Sequence, residues 1–145
     1  MGLRDGISAL DEVIRDLLRR TRRIAVVGAS ARPERPSYGV MGFLVARGFE
    51  VVPVNPGLAG ESIHGRRVVA TLAEAGPLEM VDLFRRPEEV LAPVEEAIGL
   101  GARAVWMQLG VVNEAAAAAA RAAGLVVVMD RCPKIEWGRL GLGRG

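Results

Sequence analysis

The sequence predicts a doubly wound α/β fold: one mostly parallel sheet of five strands, with helices on both faces in three layers. Three observations predict it. Short apolar runs rich in valine recur at 24–28, 50–54, 80–84, 104–107 and 125–129. The segments between them carry helical spacing or helix start and stop residues. The composition, half hydrophobic and a quarter charged over 145 residues, suits a single domain spanning 1–145. Alternation of strand and helix favours a parallel sheet. Right-handed crossovers leave few arrangements, of which 3-2-1-4-5 is the expected order.

The elements follow in turn. Leu10, Val13, Ile14, Leu17 and Leu18 form one apolar stripe within a helix reaching Arg20, started by Ser8 with Asp11 three residues on. Ile24-Ala25-Val26-Val27-Gly28 reads as a buried strand. Ser37 to Arg47 is helical, stopped by Gly48. Glu50 to Val54 is strand two, and Asn55 to Gly65 a Gly/Pro-rich loop. Thr71 to Ala75 is a short helix. Met80 to Phe84 is strand three, and Glu88 to Ile98 a helix that Pro93 either begins or kinks. Ala104 to Met107 is strand four. Asn113 caps an alanine-rich helix ending at Gly124, with Ala115 to Ala120 as a close-packed face. Leu125 to Met129 is strand five, and the tail 138–145 is expected to be loose.

Composition excludes several function classes. The formal net charge is +2, with no clustered basic face, so a nucleic-acid partner is not expected. The chain has one cysteine and one histidine, too few for an internal disulfide or a Cys/His zinc site. No apolar run reaches membrane-spanning length and the start carries no signal peptide. The expectation is a cytoplasmic protein.

In an open parallel sheet, ligands bind outside the carboxyl ends of the strands. Those ends are followed by Gly28-Ala29-Ser30-Ala31-Arg32-Pro33-Glu34-Arg35-Pro36-Ser37, by Asn55-Pro56-Gly57, by Arg85-Arg86-Pro87, by Gln108-Leu109-Gly110 and by Asp130-Arg131-Cys132-Pro133-Lys134. Glycine-permitted backbone and guanidinium forks on one edge suit a phosphate-bearing ligand. Each piece also has a plainer reading. Gly28 serves any tight turn, Arg32 and Arg35 any solvated loop, and Asn55-Pro56-Gly57 any turn. Arg85 and Arg86 have Glu88 and Glu89 in reach. The shared edge is what favours a site. A dinucleotide fingerprint fits poorly: Ser30 and Pro33 stand where its second and third glycines belong, and Asn55 where an acid would hold the ribose.

The blocks IAVVGASARPERPSYGVMGFL, VVPVNP, VDLFRRPEEV, AVWMQLGVVNEAA and VVVMDRCPKIE resemble those of the small stand-alone CoA-binding proteins. That family is similar in fold to the CoA-binding domain of the succinyl-CoA synthetase α subunit. The resemblance runs from about Thr21 to Glu136. It implies a Rossmann-like domain with coenzyme A, or an acyl-CoA, as ligand. By that resemblance Gly28, Ala29 and Ser30 lie against phosphates and Arg32 supplies charge. Tyr38 sits near the following helix start, and Val54 and Asn55 border the adenosine. Phe84, Arg85 and Arg86 flank the nucleotide, while Gln108 and Gly110 line the path of the pantetheine arm.

The synthetase relatives relay phosphate through a histidine on another domain; His64, in a Gly-rich loop, has no such context. A Walker loop, a nucleophile elbow and HExxH are absent from the sequence. The expected role is therefore a non-catalytic carrier or regulatory binding module. The alternatives are an NAD(P)-dependent redox enzyme or sensor, and an accessory subunit presenting CoA to an acyl-CoA ligase partner. Cys132 falls on the ligand edge beside Arg131 and a helix start, a setting that raises thiol reactivity. It is a candidate for a mixed disulfide with CoA, or else a small buried hydrophobe.

Overall fold

A computed structural model describes residues 3–4 and 7–143, with side chains from Ser8 to Gly143. Five strands form a single all-parallel sheet: β1 (Arg23–Val27), β2 (Glu50–Val54), β3 (Met80–Leu83), β4 (Ala104–Met107) and β5 (Val126–Val128). The order across the sheet is β2-β1-β3-β4-β5. The sequence expectation of 3-2-1-4-5 is thus corrected. β3 does not pair outside β2; it pairs with the free side of β1, Ile24 opposite Met80 and Val27 opposite Leu83. Both orders satisfy the crossover rule, and the apolar pattern of β3 suits a central place as well as an edge.

The helices are α1 (Ala9–Arg20), α2 (Pro36–Ala46), α3 (Leu91–Gly99), α4 (Glu114–Ala122) and α5 (Pro133–Arg139). Ser8 Oγ accepts the Asp11 N–H at 3.1 Å and starts α1; Asn113 Oδ1 accepts the Ala116 N–H at 3.0 Å and starts α4. Side chains of α1, α2 and α5 bury Ile14, Leu18, Met41, Leu44 and Trp137 with Ile24, Val26 and Trp106 on one face of the sheet. On the other face, Val94 and Ala97 of α3 and Ala116, Ala117 and Ala120 of α4 cover Val81, Leu83 and Val105. The alanine run is a packed face, as its composition predicts, because only small side chains let α3 and α4 pack side by side on the sheet.

The region between Asn55 and Gly65 is more ordered than a plain loop, holding a 3-10 turn at Pro56–Leu58 and one arm of a small antiparallel hairpin, Ser62–Ile63 with Arg66–Arg67. The short helix at Thr71 reduces to a 3-10 turn, Ala73–Ala75, with Thr71 and Glu74 bonded reciprocally. Pro87–Glu89 is likewise 3-10, and α3 follows it. The expected loose tail is corrected as far as Gly143. Pro133 starts α5, whose Trp137 ring lies edge-on to Phe43 and Phe49 at 6.0 and 5.9 Å. The Trp137 indole N–H donates to Gly143 O, and Leu142 is buried. Arg139 pairs with Asp11 of α1 and Glu136, fastening α5 to the first helix and holding the Asp11 carboxyl below its ordinary value.

Candidate functional site

With this strand order the chain reverses between β1 and β3. The loop after β1 leads to α2 on one face, and the loop after β3 leads to α3 on the other. A crevice must open where they part. A cleft of about 880 Å³ lies there, at the carboxyl edge, within the usual size for a small-ligand site. Gly28, Ala29, Ser30, Arg32, Asn55, Phe84, Arg85, Gln108 and Cys132 all line it, so nine of the residues singled out from the sequence meet in one place.

The loop after β1 is held rigidly. Gly28 has φ +84°, and a Cβ there would lie 2.2 Å from the Phe84 carbonyl oxygen; only glycine allows β1 and β3 to end side by side. The Gly28 and Ala29 N–H groups donate to Val54 O at 3.0 and 3.4 Å. The Ser30 N–H donates to Ser37 Oγ and the Arg32 N–H to Ser30 Oγ, both at 3.1 Å. Asn55 Nδ2 donates to Ala29 O at 2.8 Å while its Oδ1 accepts the Gly57 N–H at 2.9 Å. These four loop N–H groups thus have acceptors within the protein. What the loop presents to an anion is therefore side-chain charge and the start of α2. That start carries Arg35 as N-cap and Pro36 next, with no side-chain cap and no acid in the first turn. Pro36 has no N–H and the Tyr38 N–H donates to Arg35 O at 3.0 Å, so it is the Ser37 N–H and the positive end of the helix dipole that face Arg32 and Arg35.

Across the cleft Arg85 stands beside Phe84, its Nε 3.5 Å from Glu89 Oε1; Arg32 Nε is 3.5 Å from Glu34 Oε2. Both pairs are substantially exposed, so solvent screens them and each guanidinium is readily recruited by a stronger anion. Further along the sheet edge the lining is apolar: Leu109 and Val111 follow β4, Cys132 and Ile135 follow β5, and Val40 of α2 joins the same lining. Leu109 and Ile135 are 60% and 52% exposed, so both offer apolar surface to a ligand in the cleft. Sequence reasoning passed over Val40, Val111, Leu109 and Ile135, since apolar residues near strand ends read as core. Arg35 and Ser37 were visible within their loop but not assigned to the site.

Four predicted residues lie outside the lining. Tyr38 is in the first turn of α2, but its ring packs on His64, centroids 4.1 Å apart. His64 Nε2 lies 2.8 Å from Tyr38 O, and the imidazole occupies the space where a Cβ on Gly42 would fall. The lone histidine is thus a clip between the hairpin and α2. Val54 is buried and contributes its carbonyl to the loop. Arg86 is the exposed N-cap of the 3-10 turn. Gly110, at φ +82°, donates its N–H to Asp130 Oδ1 at 2.7 Å and so ties the loop after β4 to that after β5. Cys132 is buried among the lining residues, and the adjacent Arg131 guanidinium is engaged by the Asp130 carbonyl and Glu136. Among the described residues no His/Cys/Asp/Glu group is placed to hold a metal ion, and no helix is long and apolar enough to cross a membrane.

Comparison with known proteins adds to this geometry. The family model described as the CoA binding domain matches residues 22–138. The uncharacterized protein YneT of Bacillus subtilis (strain 168) is 39% identical over 123 residues, which are 84% of this chain and 90% of YneT. A hypothetical protein from Pyrococcus horikoshii OT3, of known structure, is 41% identical with a TM-score of 0.86 over 92% of each chain. Cell-free ID.343 from Thermus thermophilus is 36% identical with a TM-score of 0.85, covering 90% of this chain and 98% of its own.

Proposed function

This chain belongs to the CoA binding domain family, and we propose that it holds coenzyme A or an acyl-CoA across the carboxyl edge of the sheet. The observation that carries the reading is how the cleft lining is divided along the sheet edge. Arg32 and Arg35 follow β1 and Arg85 follows β3, beside the uncapped start of α2, whereas Leu109 and Val111 follow β4 and Cys132 and Ile135 follow β5, further along the edge. CoA has a matching division: about four negative charges on its pyrophosphate and 3′-phosphate, and an uncharged pantetheine arm in which two amides interrupt short apolar stretches. Charge-assisted contacts from guanidinium to phosphate contribute about 1.5–3 kcal/mol each. Phe84 offers a ring face beside Arg85 for the adenine.

The role that fits is a binding module. The cleft lining contains no histidine, lysine or carboxylate, so it offers no general base beside Cys132, Ser30 or Ser37. The Ser37 hydroxyl is occupied by the loop backbone. A nicotinamide dinucleotide fits less well. Asn55 stands where a ribose-binding acid is wanted, and both ends of its amide are engaged in holding loops together.

Titration calorimetry with CoA, acetyl-CoA, NAD and NADP tests the proposal. CoA is expected to bind at one site per chain and more tightly than either dinucleotide. Tight NADP binding with no heat from CoA would overturn it.

A further inference from the structure

One fully buried ionisable group has no part in the account so far. Asp82 lies in the central strand β3, between Val26 of β1 and Trp106 of β4, with no exposure to solvent. Its neighbours Val81 and Leu83 belong to the α3/α4 half of the core, so by strand alternation its carboxyl enters the other half. Gln108, two residues beyond Trp106, emerges on that same side and lines the cleft, although it is only 6% exposed. One end of its terminal amide lies 2.9 Å from Asp82 Oδ1 and 3.2 Å from Oδ2. The only side-chain hydrogen-bond partner of Gln108 among the described residues is Asp82. A buried acid thus sits directly behind a buried amide whose free end is open to the cleft.

Two arrangements satisfy these distances. With the amide nitrogen inward, Gln108 donates to an ionised carboxylate and shows its oxygen to the cleft. With the oxygen inward, a neutral Asp82 donates its O–H to Gln108 and the amide shows NH2 to the cleft. An ionised carboxylate in this position would have two neutral donors, the Gln108 amide and the Leu83 N–H, and no ion-pair partner among the described residues, an expensive way to bury a charge. The neutral acid meets the inward oxygen with its single O–H, and burial outweighs the Leu83 N–H, whose hydrogen bond by itself favours the ionised form. Burial pushes the Asp82 carboxyl well above its ordinary value of 3.8, in the same direction.

We propose that Asp82 stands as a neutral acid that holds the Gln108 carbonyl oxygen and so fixes the Gln108 NH2 outward, as the donor for a carbonyl oxygen of the pantetheine arm. Asp82 is then a positioning residue and Gln108 the group that touches ligand. The ligand half rests on the CoA reading; the neutral acid does not. The arrangement selects for an amide-bearing arm at the apolar end, where a ligand carbonyl would otherwise lose its water with nothing in exchange.

Two measurements test it. Infrared difference spectra between the wild type and Asp82→Asn at pH 7 should show a protonated carboxyl stretch present only in the wild type. Calorimetry should show Gln108→Leu and Asp82→Leu weakening CoA by about tenfold, while Asp82→Asn, whose amide can also donate to Gln108, stays within about twofold. Adenosine 3′,5′-bisphosphate, which lacks the arm, should bind all four proteins alike. Absence of the protonated carboxyl band, or Gln108→Leu binding CoA as wild type does, overturns the inference. Failure of the wild type to bind CoA at all would instead defeat the functional reading and leave the infrared result standing.

Discussion

Helices α2 and α4 both begin at the carboxyl edge of the sheet, after β1 and β4, yet they begin differently. α4 is finished: Asn113 caps it and Glu114 sits in its first turn, opposite the helix dipole. α2 is left open, with Arg35 at the cap, Pro36 next, no capping side chain and no acid. A cap serves stability, and its substitution costs about 1 kcal/mol. A helix start surrounded by arginine is unfavourable in the free protein and becomes favourable only when an anion arrives. The contrast separates what the chain does for its own folding from what it holds ready for a ligand.

The largest expected effect comes from closing the space that lets the open end exist. Gly28→Ala places a methyl against the Phe84 carbonyl at a backbone angle that side chains avoid. It should cost about 3 kcal/mol or more in denaturant melts and lose CoA binding with it. A near-native stability would show that the β1 and β3 ends are not locked as described. Next, Arg35→Asp makes α2 resemble α4. CoA binding should fall at least tenfold by calorimetry, while stability holds or rises by about 0.5–1 kcal/mol from the new cap. Arg32→Glu and Arg85→Glu should each weaken CoA at least tenfold as well. An unchanged affinity removes that residue from the site. The converse substitution, Asn113→Ala, should cost about 1 kcal/mol of stability and leave the CoA affinity as it was.

The subtlest effect lies beneath both helices. Burial raises the Asp82 carboxyl above 3.8. Below that pH, folded and unfolded chains both carry the proton. As pH rises past it the unfolded chain ionises first, so the unfolded state binds fewer protons and wild-type stability declines. Asp82→Asn has no such term. It should match the wild type in acid and gain on it toward neutral pH in denaturant melts. A stability difference constant across pH would mean that Asp82 is not held neutral.

Most of this contrast was readable before any coordinates. Ser8 and Asn113 announce their helices because a short polar side chain three residues ahead of a free N–H can do little else there. The β-branched runs at β1, β2, β3 and β4 gave strand limits to within a residue, since a fully buried strand has one pattern. The place of β3 was not readable. Pairing outside β2 or beside β1 demands the same apolar face, and the sequence says nothing about which edge is free. A helix start was readable beside Cys132, but the extent of α5 was not, because seven residues between Pro133 and a glycine-rich tail carry too short a period, and its docking depends on Trp137 meeting Phe43 and Phe49 from distant segments. The charged end of the cleft showed in Arg32 and Arg85 because arginine after a strand is conspicuous. The apolar lining did not, because Val40 and Val111 look like core until the cleft is seen to open beside them. Tyr38 stands at the start of α2 as expected, but helix position does not reveal which neighbour, here His64, its ring will choose.

The central claim is that an anion completes the start of α2. Amide chemical shifts in ¹⁵N-labelled protein, followed as CoA is added, address it residue by residue. The N–H signals of Ser37, Tyr38 and Gly39 should move most, together with those around Arg32 and Arg85, and Glu114 to Ala116 should stay still. Saturating CoA that leaves 37–39 unmoved, or shifts 114–116 equally, would contradict it.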